Sequence, residues 1–145
     1  MIEKPIKIWF TDMWDGFDFQ DNYFTIYLSR HFNIEINPRP DFLIHSVYSK
    51  NYLNYNCFKI CISGENTRPD FSRSDFYIGF DYNNDPRYLR WPLFLMSRYI
   101  PEHLLKEKDI DSIFAQKKRF CSFVVSNGEA KERIEFFNKL SAYKK

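Results

Sequence analysis

Apolar and basic residues alternate through Ile6-Lys7-Ile8-Trp9-Phe10 before the chain reaches Thr11-Asp12, and this period of two predicts a first strand. The loop from Thr11 to Asp18 carries Trp14, Asp15, Gly16 and Phe17. Asp18 then stands as a helix cap, with Phe19, Tyr23, Ile26 and Tyr27 at i, i+4, i+7 and i+8, and that pattern stops near His31-Phe32-Asn33. Ile34 to Ile36 reads as a second short strand closed by Pro38 and Pro40. Phe42-Leu43-Ile44-His45 is a continuous apolar run of the kind found in buried parallel strands. Ser46 to Asn56 is a Tyr/Asn/Ser loop with room for a helical turn. Phe58 to Ser63 and Phe76 to Phe80 complete five expected strands. Strands separated by one helix and by loops predict an α/β fold with a parallel, Rossmann-like sheet and flanking helices.

After Pro92 the period lengthens. Leu93 to Tyr99 and Glu102 to Lys106 read as short helices, with Pro101 at a helix start, and Asp109 to Gln116 as a further helical turn. Arg119 to Val125 is apolar enough for another strand. Ser126 and Glu129 have capping-box spacing ahead of a last helix whose apolar face is Ala130, Ile134, Phe137 and Leu140.

Composition narrows the class. Hydrophobic residues make up 44% of the 145 and aromatics 20%, which excludes disorder and allows one domain with a real core. The same aromatic richness suits stacking against the C–H faces of sugars. A net charge of +2, with Lys and Arg scattered among acids, leaves no basic stripe for nucleic acid, and Lys117-Lys118-Arg119 reads as a solvated loop. Cys57 and Cys61 lie four apart in one strand, about 13 Å from each other, too far for a disulfide. Neither His nor Cys recurs at metal-ligand spacing, so no metal residues are assigned. No apolar run is long enough to span a bilayer, and the first ten residues lack a signal-peptide core. The expectation is a cytoplasmic chain with reduced thiols.

The pattern converges on Cys61 to Pro92. An apolar segment ends at Ser63-Gly64 and presents Glu65, Asn66, Thr67 and Arg68 before Pro69, and the next one ends in Asp81. A carboxylate on a glycine-bearing loop at a strand's C-terminal end is where open α/β sheets place their chemistry. By itself this leaves two roles for Glu65: a base within reach of a substrate hydroxyl, or a tie that holds the loop through Asn66 or Arg68.

The same run, G-E-N-T-R-P-D-F at Gly64–Phe71, D-F-Y-I-G-F-D at Asp75–Asp81 and D-P-R-Y-L-R-W-P-L at Asp85–Leu93, resembles the bacterial α-1,3/4-fucosyltransferases of glycosyltransferase family 10. K-R-F-C-S-F-V-V-S-N-G-E-A-K-E-R, Lys118 to Arg133, resembles the start of that family's second, donor-binding domain. The resemblance implies a GT-B arrangement, of which this chain holds the N-terminal half plus one strand-helix unit. It implies residues 1–100 as the acceptor-side domain, 101–118 as a helical linker and 119–145 as the first unit of the donor domain. The family segment around Y-V-T-E-K has no counterpart here, so the chain alone is expected to be inactive.

The resemblance further implies inverting transfer of fucose from GDP-fucose to an N-acetylglucosamine-containing or lactosamine-type glycan, with no tightly bound cofactor. Glu65 is the implied base, and Arg133 the implied contact to the donor phosphates, against the alternative of an exposed helix Arg paired with Glu129. By their positions flanking Glu65, at a strand end and beside strand one, Asn66, Arg68, Asp81 and Trp14 are candidate acceptor contacts, each with a structural loop or packing role as the alternative. Peripheral membrane contact is implied only for a full-length form that carries a basic tail. The competing reading is a catalytically inactive acceptor-side module that at most binds glycans.

Overall fold

Among the described residues, 4–96 and 106–143, six strands form one sheet in the computed structural model. They are β1 (Ile6–Thr11), β2 (Ile34–Ile36), β3 (Phe42–His45), β4 (Phe58–Ile62), β5 (Phe76–Gly79) and β6 (Tyr88–Arg90), in the order β2-β1-β3-β4-β5-β6. Every pairing is parallel. The Rossmann-like α/β expectation is therefore met, with one strand beyond the five expected, Tyr88–Arg90. Three residues between two turn-rich stretches carry too little periodicity to mark an edge strand.

Register sorts the side chains into two layers, because successive residues of a strand face opposite ways. Ile8 and Phe10, Ile44, and Ile62 form the buried cluster of one face, joined by Ile60 and Ile78. The helix α1 (Tyr23–Ser29) covers that face with Phe24 and Leu28, together with Phe17 and Phe19. Here the sequence reading is corrected. The cap is Asn22, whose Oδ1 accepts from the Thr25 amide at 3.0 Å, while its Nδ2 donates to the carbonyls of Asp18 and Phe19. Asp18 instead closes a turn before the helix, accepting from the amides of Gln20 and Asp21. The core-facing stripe shifts accordingly to Phe24 and Leu28, and Tyr23 stacks on the exposed Tyr27.

The opposite face carries Leu43, His45, Cys61 and Tyr77, all buried. A 3-10 turn at Asn51–Asn54, within the loop where a helical turn was expected, lays Tyr52 parallel to the His45 ring at 4.3 Å. That turn is fastened by Asp12, at the end of β1, whose carboxylate accepts from the amides of Asn51 and Tyr52 at 3.0 and 2.8 Å. Asp12 is buried and holds φ at +56°, a left-handed conformation that Asp tolerates better than most residues. His45 accepts or donates at both nitrogens: Nδ1 lies 2.9 Å from the Ser46 carbonyl and Nε2 2.8 Å from Ser74 Oγ. A carbonyl can only accept, so the proton sits on Nδ1 and Ser74 donates to Nε2.

Residues 1–105 make one compact unit and 106–145 another. In the second, Asp109 caps α2 (Ile110–Ala115) through the Ser112 amide, as expected. Residues 119–125, read as a strand, join no sheet among the described residues: a strand needs a partner ladder, and Phe123 instead stacks on Phe137 at 4.7 Å. The last helix, α3 (Lys131–Tyr143), begins five residues after Ser126, so the capping box does not form and Asn127 closes a turn onto the Glu129 amide. The expected face survives, with Ala130, Ile134 and Leu140 half-buried. Leu93–Met96 forms a 3-10 turn, while the rest of that expected helix and residues 102–105 lie outside the described residues.

Two stability outcomes follow. Burial, the largest influence, holds His45 below the ordinary histidine value of 6.5. As pH falls below that value the unfolded chain gains a proton that the folded chain resists, so stability present at neutral pH is lost. Thermal unfolding between pH 7.5 and pH 5, about the histidine range, should show a falling midpoint that flattens in His45→Gln. Asp12→Ala should cost about 2–3 kcal/mol in urea unfolding, because two amides lose a charged acceptor, and Asp12→Asn should cost less.

Candidate functional site

Because the strands are parallel, the turns after β1, β3, β4 and β5 leave the sheet at one edge. The turn after β4 carries Glu65. Its backbone is pinned first: the Ser63 amide donates to the Ile78 carbonyl at 3.0 Å, and the Glu65 amide to Ser63 Oγ at 3.1 Å. Ser63 Oγ and Thr67 Oγ1 share a hydrogen bond of 2.8 Å, and the Thr67 amide donates to the Glu65 carbonyl at 2.7 Å. Thr67 Oγ1 lies 3.3 Å from the hydroxyl of Tyr77, on β5. A tight turn is thus stapled to two strands while the Glu65 side chain stays exposed.

The Glu65 carboxylate is held from outside its own loop. Tyr48, from the turn after β3, donates to Glu65 Oε1 at 2.9 Å. Donation to a carboxylate raises the Tyr48 phenol, since losing its proton would set two anions together, and burial adds to the shift. The loop tie that sequence left open as the alternative for Glu65 is made by other groups: Arg68 Nη1 donates to both oxygens of Asp81 at 2.9 and 2.8 Å. Asp81 is anchored in turn, its amide donating to Tyr88 Oη at 2.9 Å. Gly79 makes room for that phenol; a Cβ there would stand 2.6 Å from Tyr88 Oη.

Beneath the loop the sheet is inert. Burial pushes the Cys61 thiol up to about 11 and the Tyr77 phenol up to about 12. Neither offers a nucleophile or base at neutral pH. Two cavities flank Glu65's edge of the sheet. One, of about 290 Å³, is lined by His45, Lys50, Arg68, Arg73, Ser74 and Tyr77 among others. The other, of about 510 Å³, lies between the loop after β1 and the turn after β6 and includes Trp14, Phe17, Asp18, Asp21, Leu93 and Met96.

The expected residues therefore fall into three groups. Glu65, Asn66, Arg68 and Asp81 share one edge, with Asn66 exposed beside the carboxylate. Trp14 belongs to the larger cavity, its ring edge-on to Phe17 at 4.9 Å and 43% exposed. Arg133 is the third residue of α3, in the second compact unit, exposed, and forms no ion pair with Glu129 among the described residues. Sequence reasoning missed Tyr48 and Asp12, whose partners are 17 and about 40 residues away. The described residues contain no group of three potential metal ligands and no helix long and apolar enough to cross a membrane. What the edge offers chemically is an exposed carboxylate, fixed in position, that can accept a proton from a bound hydroxyl.

A profile of the alpha-(1,3)-fucosyltransferase FucT N-terminal domain matches residues 8–97. The curated alpha-(1,3)-fucosyltransferase FucT of Helicobacter pylori is 26% identical over 180 aligned residues, which span 95% of this chain and 38% of that protein. Among solved structures, an alpha1,3-fucosyltransferase with GDP superposes with a TM-score of 0.64 at 26% identity, covering 97% of this chain and 51% of that one. An alpha1,3-fucosyltransferase with GDP-fucose gives a TM-score of 0.64 at 24% identity, over 99% of this chain and 53% of that one, a likeness of fold. The chain thus spans well under two thirds of the relatives that it matches. With the edge carboxylate, the six-stranded parallel sheet and the matched profile together, the chain belongs to the alpha-(1,3)-fucosyltransferase FucT N-terminal domain family.

Proposed function

We propose that this chain supplies the acceptor side, and the first donor-side residues, of an inverting α-1,3-fucosyltransferase. The observation that carries the reading is the placement of Glu65: an exposed carboxylate at the C-terminal edge of the sheet, on a stapled turn, oriented by the Tyr48 phenol at 2.9 Å. In the reaction an acceptor hydroxyl oxygen bonds to C1 of the fucose, the bond from C1 to the GDP phosphate oxygen breaks with its electrons going to GDP, and Glu65 takes the hydroxyl proton. The donor is GDP-fucose and the acceptor an N-acetylglucosamine-containing glycan, with no tightly bound cofactor.

In this reading Asn66, Arg68 and Asp81 line the acceptor approach, and Trp14 offers it a ring. Arg133, near the N-terminus of α3, meets the donor phosphates, where a cation and the helix end both favour anions. Residues 1–100 act as the acceptor-side domain, 101–118 as the linker and 119–145 as the first donor-side unit; the division into two compact units after residue 105 lies near the first of these boundaries, while most of the linker belongs to the second unit. A cytoplasmic setting belongs to the same reading, in keeping with three unpaired thiols.

The test is GDP release and glycan product formation by the chain itself and by a chimera in which it replaces the matching segment of the Helicobacter pylori relative. Glu65→Gln in the chimera should lower kcat by about 10²–10⁴-fold with the acceptor KM little changed. Wild-type transfer by that variant would falsify the base assignment. Tyr48→Phe should lower kcat by about fivefold, the worth of one hydrogen bond, with the acceptor KM little changed. Glycan binding with no transfer in any form leaves the non-catalytic acceptor module as the better description.

A further inference from the structure

The turn that presents Glu65 is stapled from within, but its carboxylate is met by a side chain from another loop. The position of that loop therefore enters the chemistry. Residues 46–54 follow β3 and carry Tyr48, whose hydroxyl donates to Glu65 Oε1 at 2.9 Å. Tyr48 is 54% exposed and belongs to no strand or helix, so neither burial nor a strand ladder holds it. What holds it is the end of β1. The Ser46 amide donates to the Thr11 carbonyl and the Tyr48 amide to the Asp12 carbonyl, each at 3.3 Å. The Asp12 carboxylate then accepts the Asn51 amide on Oδ1 at 3.0 Å and the Tyr52 amide on Oδ2 at 2.8 Å. One residue thus grips the loop at Tyr48 itself and again at Asn51 and Tyr52.

Three features suit Asp12 to this work. It is buried, so water competes little for its oxygens. Its φ of +56° turns the chain out of β1, and in that conformation its carbonyl and its side chain both reach the same loop. A carboxylate also presents one acceptor oxygen to each amide, whereas Asn would present one oxygen and one NH2 group, a donor set against a donor. The far end of the loop is seated on the sheet. Tyr52 is buried and lies on the His45 ring at 4.3 Å, and His45 Nε2 is fixed by Ser74 Oγ at 2.8 Å. With one end seated and the other hydrogen-bonded to β1, the loop keeps little freedom at Tyr48.

We infer that Asp12 is a positioning residue for the transfer step: by clamping residues 46–52 to the end of β1 it sets the Tyr48 hydroxyl and, through it, the orientation of the Glu65 carboxylate. The inference rests on the proposed role of Glu65 as the base and adds that its aim is set from the first strand of the sheet.

The test has two readouts. In the purified 145-residue chain with isotope-labelled tyrosine, NMR follows the Tyr48 phenol, assigned by the signal lost in Tyr48→Phe. The bond to Glu65 raises this phenol above its ordinary value of 10.0, so Glu65→Gln should bring it down. Asp12→Asn should bring it down as well. That variant keeps one acceptor oxygen and a residue that tolerates the left-handed backbone, so it should fold. Leu28→Ala, which weakens the core on the other face, should leave the Tyr48 titration and kcat unmoved. In the chimera, Asp12→Asn should lower kcat by about threefold with the acceptor KM little changed. It should lower kcat no further in a Tyr48→Phe background, because the effect passes through that phenol. An unmoved Tyr48 titration in folded Asp12→Asn, losses in kcat that multiply in the double variant, or an equal loss in Leu28→Ala would each overturn the inference and leave Asp12 a role in stability alone. Failure of the base assignment shows separately. It appears as full transfer by Glu65→Gln, whereas the tyrosine titration reports the link from Asp12 without any transfer.

Discussion

The parallel pairing of β4 between β3 and β5 is the constraint on which the site depends. Ile60 stands opposite both Ile44 and Phe76, and Cys61 opposite both His45 and Tyr77. This register buries an apolar row on one face and a polar-tipped row on the other. A slip of one residue would exchange the faces of β4, withdrawing Ile62 from the core and Cys61 from Tyr77. It would also carry Ser63 away from the Ile78 carbonyl, and with it the turn that presents Glu65. Parallel direction does the rest. Asp12, Tyr48, Glu65 and Asp81 follow four different strands and still reach one edge, as expected of ligand positions at the carboxyl ends of an open sheet.

The second face explains how an exposed carboxylate can be held in place without being buried. His45, Ser46, Ser63, Ser74 and Tyr77 are all buried, and each has a partner within the fold. Buried polar groups are costly unless satisfied, so this layer tolerates one arrangement and few others. The staple from Ser63 through Thr67 to Tyr77 transmits that rigidity to the turn. Glu65 and Asn66 then extend into solvent from a fixed base.

Charge is distributed unevenly along the same edge. On the side of the smaller cavity, Arg68 is matched by Asp81 and Arg73 by Asp70. Exposed pairs of this kind add little to stability; their effect is to set the local field and the position of the loop. On the other side Asp18 and Asp21 line the larger cavity together with Trp14 and Phe17. The edge that carries Glu65 is thus flanked by carboxylates and aromatic rings on one side and by balanced ion pairs on the other.

Local pattern was enough for the elements whose periodicity is strong. Ile6–Phe10, Phe42–His45 and Phe58–Ile62 alternate or run apolar over enough residues to mark strands, and the turn at Ser63-Gly64 marks Glu65 as a strand-end carboxylate. Ala130, Ile134 and Leu140 marked a helix face that the fold retains. Where two polar residues competed for one role, spacing misled. Asn22 caps α1 because its amide can satisfy carbonyls behind it as well as the Thr25 amide ahead, whereas Asp18 can only accept. The strand read at residues 119–125 needed a partner ladder, which no local pattern supplies. The Tyr48–Glu65, Asp12–Tyr52 and His45–Ser74 contacts link residues 17, 40 and 29 apart. Those distances in sequence are closed only by the stacking of parallel strands, so the partners that orient the carboxylate and shape the cavities came from the tertiary fold.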